Sequence, residues 1–449
     1  MDCAKKKQCR LVVFPLPFQG HINPMLQLAS ILHSRGFLIS VIHTHYNCPN
    51  PSNYPHFSFH PISDGLSESP HSAPDPVRII KLINTNCAKP FRQCLEGLIS
   101  EGDVKCFISD ANWYFTHSVA TALGLPRIVM RTSSVGAFLA FAALSLLRDK
   151  GYLSFSDRDS KMEEAVEEVP PLKVKDMPVL EMYNAEDAYK NIDKMVEETK
   201  KASAVIFNTF QELEHPEIGR LTQQLVSPTF AIPFHKCFSA ASSSLLAQDM
   251  SSISWLDEQP PKSVLYVSFG SVAAMDGGKL HEVAWGLANS GSRFLWAIRP
   301  GLVHDTEWLE MLPNGFSEAT SGRGIIIKWA PQQEVLSHPS VGGFWTHCGW
   351  NSTLESICEG VPMICSPFFG DQLVNARYVS DVWRVGINLH KDLEKGGTEN
   401  AIRKLMVQRD GEEMRKRAML LKERIDAGLK MRGSTYRVLD ELIDFISSF

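Results

Sequence analysis

The sequence predicts an α/β protein made of two doubly wound domains, each a parallel sheet with helices on both faces. Three observations carry this. A strand–helix–strand unit opens the chain, a second run of the same kind starts near residue 263, and a Ser/Ala-rich stretch lies between them. A helix joining two buried strands implies a parallel pair, because the crossover must return over one face of the sheet. At 449 residues the chain is also too long for one ordinary core.

The first unit is legible residue by residue. "RLVVFPLP" (10–17) is a short apolar strand and "FQGHINP" (18–24) a turn. Ile22, Met25, Leu26, Ala29 and Leu32 then recur at helical spacing. Pro24 is expected in the first helical turn, where a missing N–H costs nothing. Gly36 ends the helix, and "FLISVIHT" (37–44) is the second strand. "KCFISD" (105–110) and "RIVMRT" (127–132) read as further strands that end in polar residues, at the edge where open α/β sheets bind ligands.

The second run repeats the pattern. "SVLYVSFGS" (263–271) is a strand ending in Gly270 and Ser271, and "LHEVAWGLAN" (280–289) has an apolar helical face. "RFLWAIRP" (293–300), "RGIIIKWAP" (323–331) and "VGGFW" (341–345) are strands, and "EEMRKRAMLLKERIDAGLK" (412–430) is a charged amphipathic helix. "FSAASSSLLAQDMSS" (238–252) reads as a linker. The expected division is residues 1–235, a linker at 236–252, residues 253–430, and a C-terminal helix at 431–449 that returns toward the first domain.

Composition excludes several classes. The chain is 44% hydrophobic and 21% charged, with a net charge of −5, which leaves no basic footprint for nucleic acid or an acidic membrane. No apolar run reaches the ~18 residues of a membrane span. The N-terminal apolar run is broken by Pro15, Pro17 and Gln19, too early for a signal peptide. The ten cysteines form no C-x-x-C pair, as expected of reduced thiols in a cytosolic protein. No G-x-G-x-x-G, G-x-x-x-x-G-K-[ST], G-x-S-x-G or H-E-x-x-H occurs, so dehydrogenase, NTPase, esterase and zinc-hydrolase readings have no support.

Residues 345–356, "WTHCGWNSTLES", pack a His, a Gly, a Trp, an Asn and hydroxyls into a strand-to-helix turn. Such a turn gathers backbone N–H groups and the positive end of a helix dipole, which together suit an anion. Gly349 would let backbone approach a ligand closely, and His347, Asn351, Ser352 and Thr353 would offer donors. Ser352 and Glu355 also fit an S-x-x-E capping box, which requires no ligand. "WAPQQEVL" (329–336) and "GVPMICSPFFGDQ" (360–372) each include a strand-to-helix transition nearby.

From Trp329 to Gln372 the sequence strongly resembles the sugar-donor signature of plant UDP-dependent glycosyltransferases. It carries "WAPQ", "HCGWNS", Glu355, "GVP" and the closing "DQ", and "FPLPFQGHINPMLQLA" near the start extends the likeness along the chain. The resemblance implies the GT-B arrangement, two Rossmann-like domains facing across a cleft, with the donor on the C-terminal domain. It implies that Trp329 stacks on uracil, that Ala330 pairs with the base through its backbone, and that Gln332 and Glu355 hold the ribose. Ser271, His347, Asn351 and Ser352 would hold the pyrophosphate, Trp350, Asp371 and Gln372 would read the sugar, and Thr132 joins this donor set. His21 would be the catalytic base and Asp110 its partner, fixing the tautomer and stabilising the imidazolium.

No metal is implied. The D-x-D triplet at Asp157–Asp159 lies in a polar loop and reads as a solvated charge run. The donor would be UDP-glucose, a substrate and not a resident cofactor, and the chain a monomer that takes a small-molecule acceptor. "SNYPHF", "ANWYF" and "LKVKDMP" resemble a plant subgroup acting on small hydroxy acids, phenolics, hydroxamic acids, cytokinins and diterpenoids. Phe18, Trp113, Tyr114, Phe138 and Phe141 are the expected acceptor-pocket walls. The alternative is a UDP-sugar-binding regulatory protein without transferase activity, and the presence of both His21 and Asp110 favours the enzyme.

Overall fold

Leu11, Val12, Val13 and Phe14 are all fully buried, and so are Val264, Leu265 and Val267 in the second half. Strands covered on both faces need apolar residues at successive positions, which is why both first strands read as unbroken apolar runs. The computed structural model describes residues 9–66, 76–152, 161–178, 185–237, 244–303, 312–389 and 397–449.

The first sheet contains β1 (Arg10–Phe14), β2 (Leu38–Thr44), β3 (Ser58–Ile62), β4 (Val104–Asp110), β5 (Arg127–Arg131), β6 (Ala204–Phe207) and β7 (Thr229–Ala231). Its order is β3-β2-β1-β4-β5-β6-β7, with parallel pairing throughout. The second sheet contains β8 (Val264–Ser268), β9 (Arg293–Ala297), β10 (Gly324–Ile327), β11 (Val341–Thr346), β12 (Met363–Cys365) and β13 (Gly386–Asn388), in the order β10-β9-β8-β11-β12-β13. It too is parallel. In each sheet the order reverses beside the first strand, at β1/β4 and at β8/β11. The connections leave in opposite directions there and open a crevice at the carboxyl edge.

The first helix differs from the expectation. It spans Gln19–Ser34, because Phe18 takes the N-cap position and its carbonyl accepts from the His21 and Ile22 amides at 2.8 and 2.9 Å. Pro24 therefore sits in the helix interior, not in a first turn that starts later. The helix Arg409–Leu429 lays Ala418, Leu421 and Ile425 on the second half's core. The last helix, Ser434–Ser447, turns Leu439, Leu442 and Ile446 into the core beneath the first sheet with Leu11, Ile206 and Phe230.

A carboxylate cluster ties the halves together away from the sheets. Glu214 is buried and accepts from the Val135 and Gly136 amides (3.0 and 2.9 Å) and from the Thr209 hydroxyl (2.6 Å). It thereby caps the helix Val135–Asp149. Next to it, Glu217 accepts from the Tyr378 hydroxyl of the second half at 2.8 Å. Burial, only partly opposed by these hydrogen bonds, pushes the Glu214 carboxyl up to about 7.

A carboxyl raised in the fold binds a proton that the unfolded chain releases near pH 4.5. Its contribution is therefore greatest at low pH and declines as pH rises toward 7. The melting temperature of the native chain relative to a Glu214→Gln variant should be higher at pH 5 than at pH 7.5. Differential scanning fluorimetry across that range checks this, and a constant difference would contradict the raised value.

Candidate active site

One cavity of about 480 Å³ lies between the carboxyl edges of the two sheets, within the range of small-ligand sites. The residues expected to hold the donor and act on the acceptor all line it: His21, Asp110 and Thr132 from the first half, and Ser271, Trp329, Ala330, Gln332, His347, Trp350, Asn351, Ser352, Glu355, Asp371 and Gln372 from the second. The two reversal points thus open onto a common space, with His21 just beyond β1, Asp110 at the end of β4, Ser271 beyond β8 and His347 beyond β11.

His21 Nδ1 lies 2.6 Å from Asp110 Oδ2, and Thr132 Oγ1 lies 3.1 Å from the same nitrogen. A carboxylate accepts only, so Nδ1 carries the hydrogen, and in the neutral imidazole Nε2 is the nitrogen with the lone pair. The other Asp110 oxygen accepts from the Asn112 backbone and side-chain amides at 2.9 and 3.0 Å. Burial alone would raise this carboxyl, but His21 and the Asn112 bonds outweigh it and hold it below the usual aspartate range. Asp110 is 2% exposed and His21 25%, so the imidazole can meet a ligand while its partner cannot. Thr132, expected among the donor residues, touches His21 instead.

The turn at 346–350 is shaped by the imidazole of His347. A Cβ on Gly270 would lie 2.5 Å from that ring, and one on Gly349 would also lie 2.5 Å from it. Gly270 has φ +73° as well, so a side chain there is excluded twice over. Gly349 therefore makes room for His347, a reason the sequence did not reveal. Burial, with Arg299 nearby, pushes His347 down to about 4, so the imidazole is neutral. Its Nδ1 is buried without a hydrogen-bond partner. Arg299 holds the adjoining loop by donating to the carbonyls of Gly270 (3.1 Å) and Ala273.

The capping box is absent. Gly349 is the N-cap of the helix Trp350–Cys358 and gives no side-chain cap. Glu355 instead accepts from Gln332 Nε2 at 2.7 Å and Gln333 Nε2 at 3.0 Å, and Gln332 Nε2 also donates to Ser352 Oγ at 2.9 Å. Burial raises the Glu355 carboxyl, partly offset by the two amides. Trp329 is anchored by its indole N–H to Ser244 Oγ at 2.9 Å.

Three residues differ from their expected use. The Trp350 indole is buried and its N–H donates to the Asn208 carbonyl at 2.7 Å, so that group is not available to a sugar. Its backbone N–H, at the first position of the helix, has no intrahelical acceptor. The Asn351 amide reaches the other half on both sides, Nδ2 donating to the Gly20 carbonyl (2.8 Å) and Oδ1 accepting from Asn208 Nδ2 (3.1 Å). Gln372 Oε1 accepts from the Phe368 and Phe369 amides at 2.7 and 3.2 Å, which fixes the flip of its amide and leaves Nε2 for the cavity. Asp371, at the N-cap position of the helix Gln372–Arg377, makes no cap and accepts from Asn375 at 3.2 Å.

Two of the predicted acceptor walls are core residues. Trp113 is fully buried and stacked on Phe14 at 4.3 Å, and Phe138 is buried edge-on to Phe207 at 5.7 Å. Phe18 and Phe141 line the cavity, while Tyr114 does not and donates instead to the lining residue Asn191, at Oδ1, 3.4 Å away. Further walls include Val77, Ile80, Ile192 and Met195, from helices whose apolar faces gave no sign of a ligand. Arg131 was also missed. It is buried against the Phe138 ring (4.9 Å), with Nε and Nη1 unpaired.

Among the described residues, no group of three or more His, Cys, Asp or Glu side chains could hold a metal ion, and no helix is long and apolar enough to cross a membrane. Asp157 and Asp159 lie outside the described residues.

Residues 78–425 match the family model described as UDP-glucoronosyl and UDP-glucosyl transferase. The chain is 50% identical over 441 residues to UDP-glycosyltransferase 76B1 of Arabidopsis thaliana, with 98% of each chain covered. It superposes with a TM-score of 0.85 on a UDP-glucose:anthocyanidin 3-O-glucosyltransferase in complex with UDP, at 29% identity over 99% of this chain and 100% of that one. A Phytolacca americana UGT2 complexed with UDP-2fluoro-glucose and pterostilbene gives a TM-score of 0.82 at 29% identity, over 98% and 100%. With two Rossmann-like domains in the GT-B arrangement, this chain belongs to the plant family 1 UDP-glycosyltransferases.

Proposed function

We propose that the protein transfers glucose from UDP-glucose to a hydroxyl or carboxyl group of a small plant specialised metabolite with inversion, giving a β-glucoside. The contact that carries this reading is the 2.6 Å pair of His21 and Asp110, which leaves His21 Nε2 as a base in the same cavity as the donor residues. The acceptor hydroxyl gives its proton to Nε2, its oxygen attacks the anomeric carbon, and the bond from that carbon to the UDP oxygen breaks. The proton stays on an imidazolium paired with Asp110. Negative charge grows on the departing diphosphate, where the first amides of the helix Trp350–Cys358 and the neutral His347 can donate to it without a metal. Trp329 would stack on uracil, Ala330 would pair with it, Gln332 and Glu355 would hold the ribose, and Ser271 and Ser352 the phosphates. A cytosolic setting goes with this reading, where free thiols such as Cys87 and Cys106 stay reduced.

The acceptor class follows from the walls. Phe18, Phe141, Ile80, Ile192 and Met195 form an apolar lining on the His21 side of the cavity, suited to a planar phenolic or a terpenoid alcohol. His21→Ala should lower kcat by about 10² to 10⁴ while UDP binding measured calorimetrically is retained. Wild-type turnover with the best alcohol acceptor would remove His21 as the base.

Sugar choice rests on Asp371 and Gln372. With Gln372 Oε1 held by the Phe368–Phe369 turn, Nε2 donates and Asp371 accepts, a pair that adjacent equatorial hydroxyls can satisfy together. Galactose turns one hydroxyl axial and leaves a buried group unpaired, at about 1–3 kcal/mol. UDP-glucose should therefore exceed UDP-galactose about tenfold to hundredfold in kcat/KM. Gln372→Glu keeps the acceptor for the turn and removes the donor, so it should impair transfer more than UDP binding. Equal kcat/KM for the two sugars would refute the assignment. Activity should also survive EDTA and be unchanged in an Asp157→Ala/Asp159→Ala double variant, and loss on chelation with recovery on adding Mn²⁺ would overturn metal-free transfer.

A further inference from the structure

In a helix the carbonyl of residue i accepts from the amide of residue i+4, and a proline at i+4 has no hydrogen to give. Pro24 therefore leaves the Gly20 carbonyl without its helical donor, one residue before His21. That carbonyl accepts instead from Asn351 Nδ2 at 2.8 Å, across the cleft. Asn351 Oδ1 in turn accepts from Asn208 Nδ2 at 3.1 Å.

Asn208, 2% exposed just beyond β6, is where several such contacts meet. Its amide donates to the Arg131 carbonyl at the end of β5 (3.1 Å), and its Oδ1 accepts from the Phe234 amide (3.2 Å). Its carbonyl accepts from Trp350 Nε1 (2.7 Å). The first two residues of the helix Trp350–Cys358 are thus both fastened to Asn208, and the second of them is fastened also to the turn that carries His21.

We propose that Asn208 and Pro24 are positioning residues that set the separation between His21 and the sugar donor, Asn208 by holding Trp350 and Asn351, and Pro24 by freeing the Gly20 carbonyl for Asn351. The inference rests on His21 as base and the helix at 350 as part of the donor site. A single-displacement transfer needs base, acceptor oxygen and anomeric carbon aligned, and base and donor lie on different sheets. A hydrogen-bonded chain from one to the other fixes that alignment, and a misplacement of about 1 Å costs on the order of 10²-fold in rate.

The test uses the full chain with Pro24→Ala, Asn208→Ala and the double variant, measuring kcat, donor KM, UDP affinity by calorimetry and melting temperature. Pro24→Ala supplies an amide that competes for the Gly20 carbonyl. It should raise the melting temperature, because proline is unfavourable in a helix interior, and yet lower kcat several-fold with UDP affinity unchanged. A purely structural role would move stability and turnover in the same direction. Asn208→Ala should lower kcat about tenfold or more, and the double variant should be no slower than Asn208→Ala, since both act through Asn351. Wild-type kcat in Pro24→Ala, or losses that multiply in the double variant, would overturn the proposal. The outcomes also separate the two readings. An inactive His21→Ala beside an unaffected Pro24→Ala sinks only this inference, whereas an active His21→Ala removes the base on which it rests.

Discussion

The site depends on the hydrogen bond between His21 Nδ1 and Asp110 Oδ2, and much of the first half arranges for it. An ionised carboxylate that is 2% exposed is costly unless every lone pair facing the protein is answered. Here Asn112 answers one oxygen twice, and the imidazole answers the other. β1 and β4 are adjacent in the sheet, with Phe14 opposite Ser109, so the residues that follow Phe14 and end β4 arrive at one edge. The topology that reverses at β1 brings base and partner together, and burial makes the pairing obligatory.

The second sheet meets the same problem with different chemistry. Its reversal point has no ionised pair but a neutral imidazole wedged between two glycines, with Arg299 holding the loop beneath it. A neutral donor and helix amides suit charge that appears only as the reaction proceeds, because they require no permanent counter-ion. Glu214 caps a helix of the first half beside Glu217, which bonds Tyr378 of the second, so a carboxyl raised by burial lies at the junction as well as in the site.

Joining two rigid sheets across a cavity leaves polar groups at the seam that each half cannot satisfy alone. The Gly20 carbonyl, the Trp350 indole N–H and the Asn351 amide all find partners only in the other half. Leaving such groups unpaired costs about 1–3 kcal/mol each, so the seam favours one mutual placement of the sheets over neighbouring ones.

The sequence by itself determined the parallel sheets, because strands buried on both faces need apolar residues at successive positions, as residues 11–14, 106–108 and 264–267 supply. The resemblance to a known family, strongest in the donor signature at residues 329–372, also named donor and base residues that line the cavity, though not the walls at Val77, Ile80, Ile192 and Met195. Only the tertiary structure decided what each polar atom does. Asn351 and Trp350 bond across the cleft, Gln372 gives its carbonyl to a turn, and Trp113 and Phe138 are core, because hydrogen-bond partners and burial depend on residues far away in the chain. Asn208 gave no local signal: a lone asparagine after a short strand is ordinary until the second sheet brings Trp350 and Asn351 against it. Pro24 was visible from the start, but its consequence needed the helix to begin at Gln19 and an amide to arrive from residue 351. A proline marks the carbonyl it leaves free, and only the folded chain shows what takes that carbonyl up.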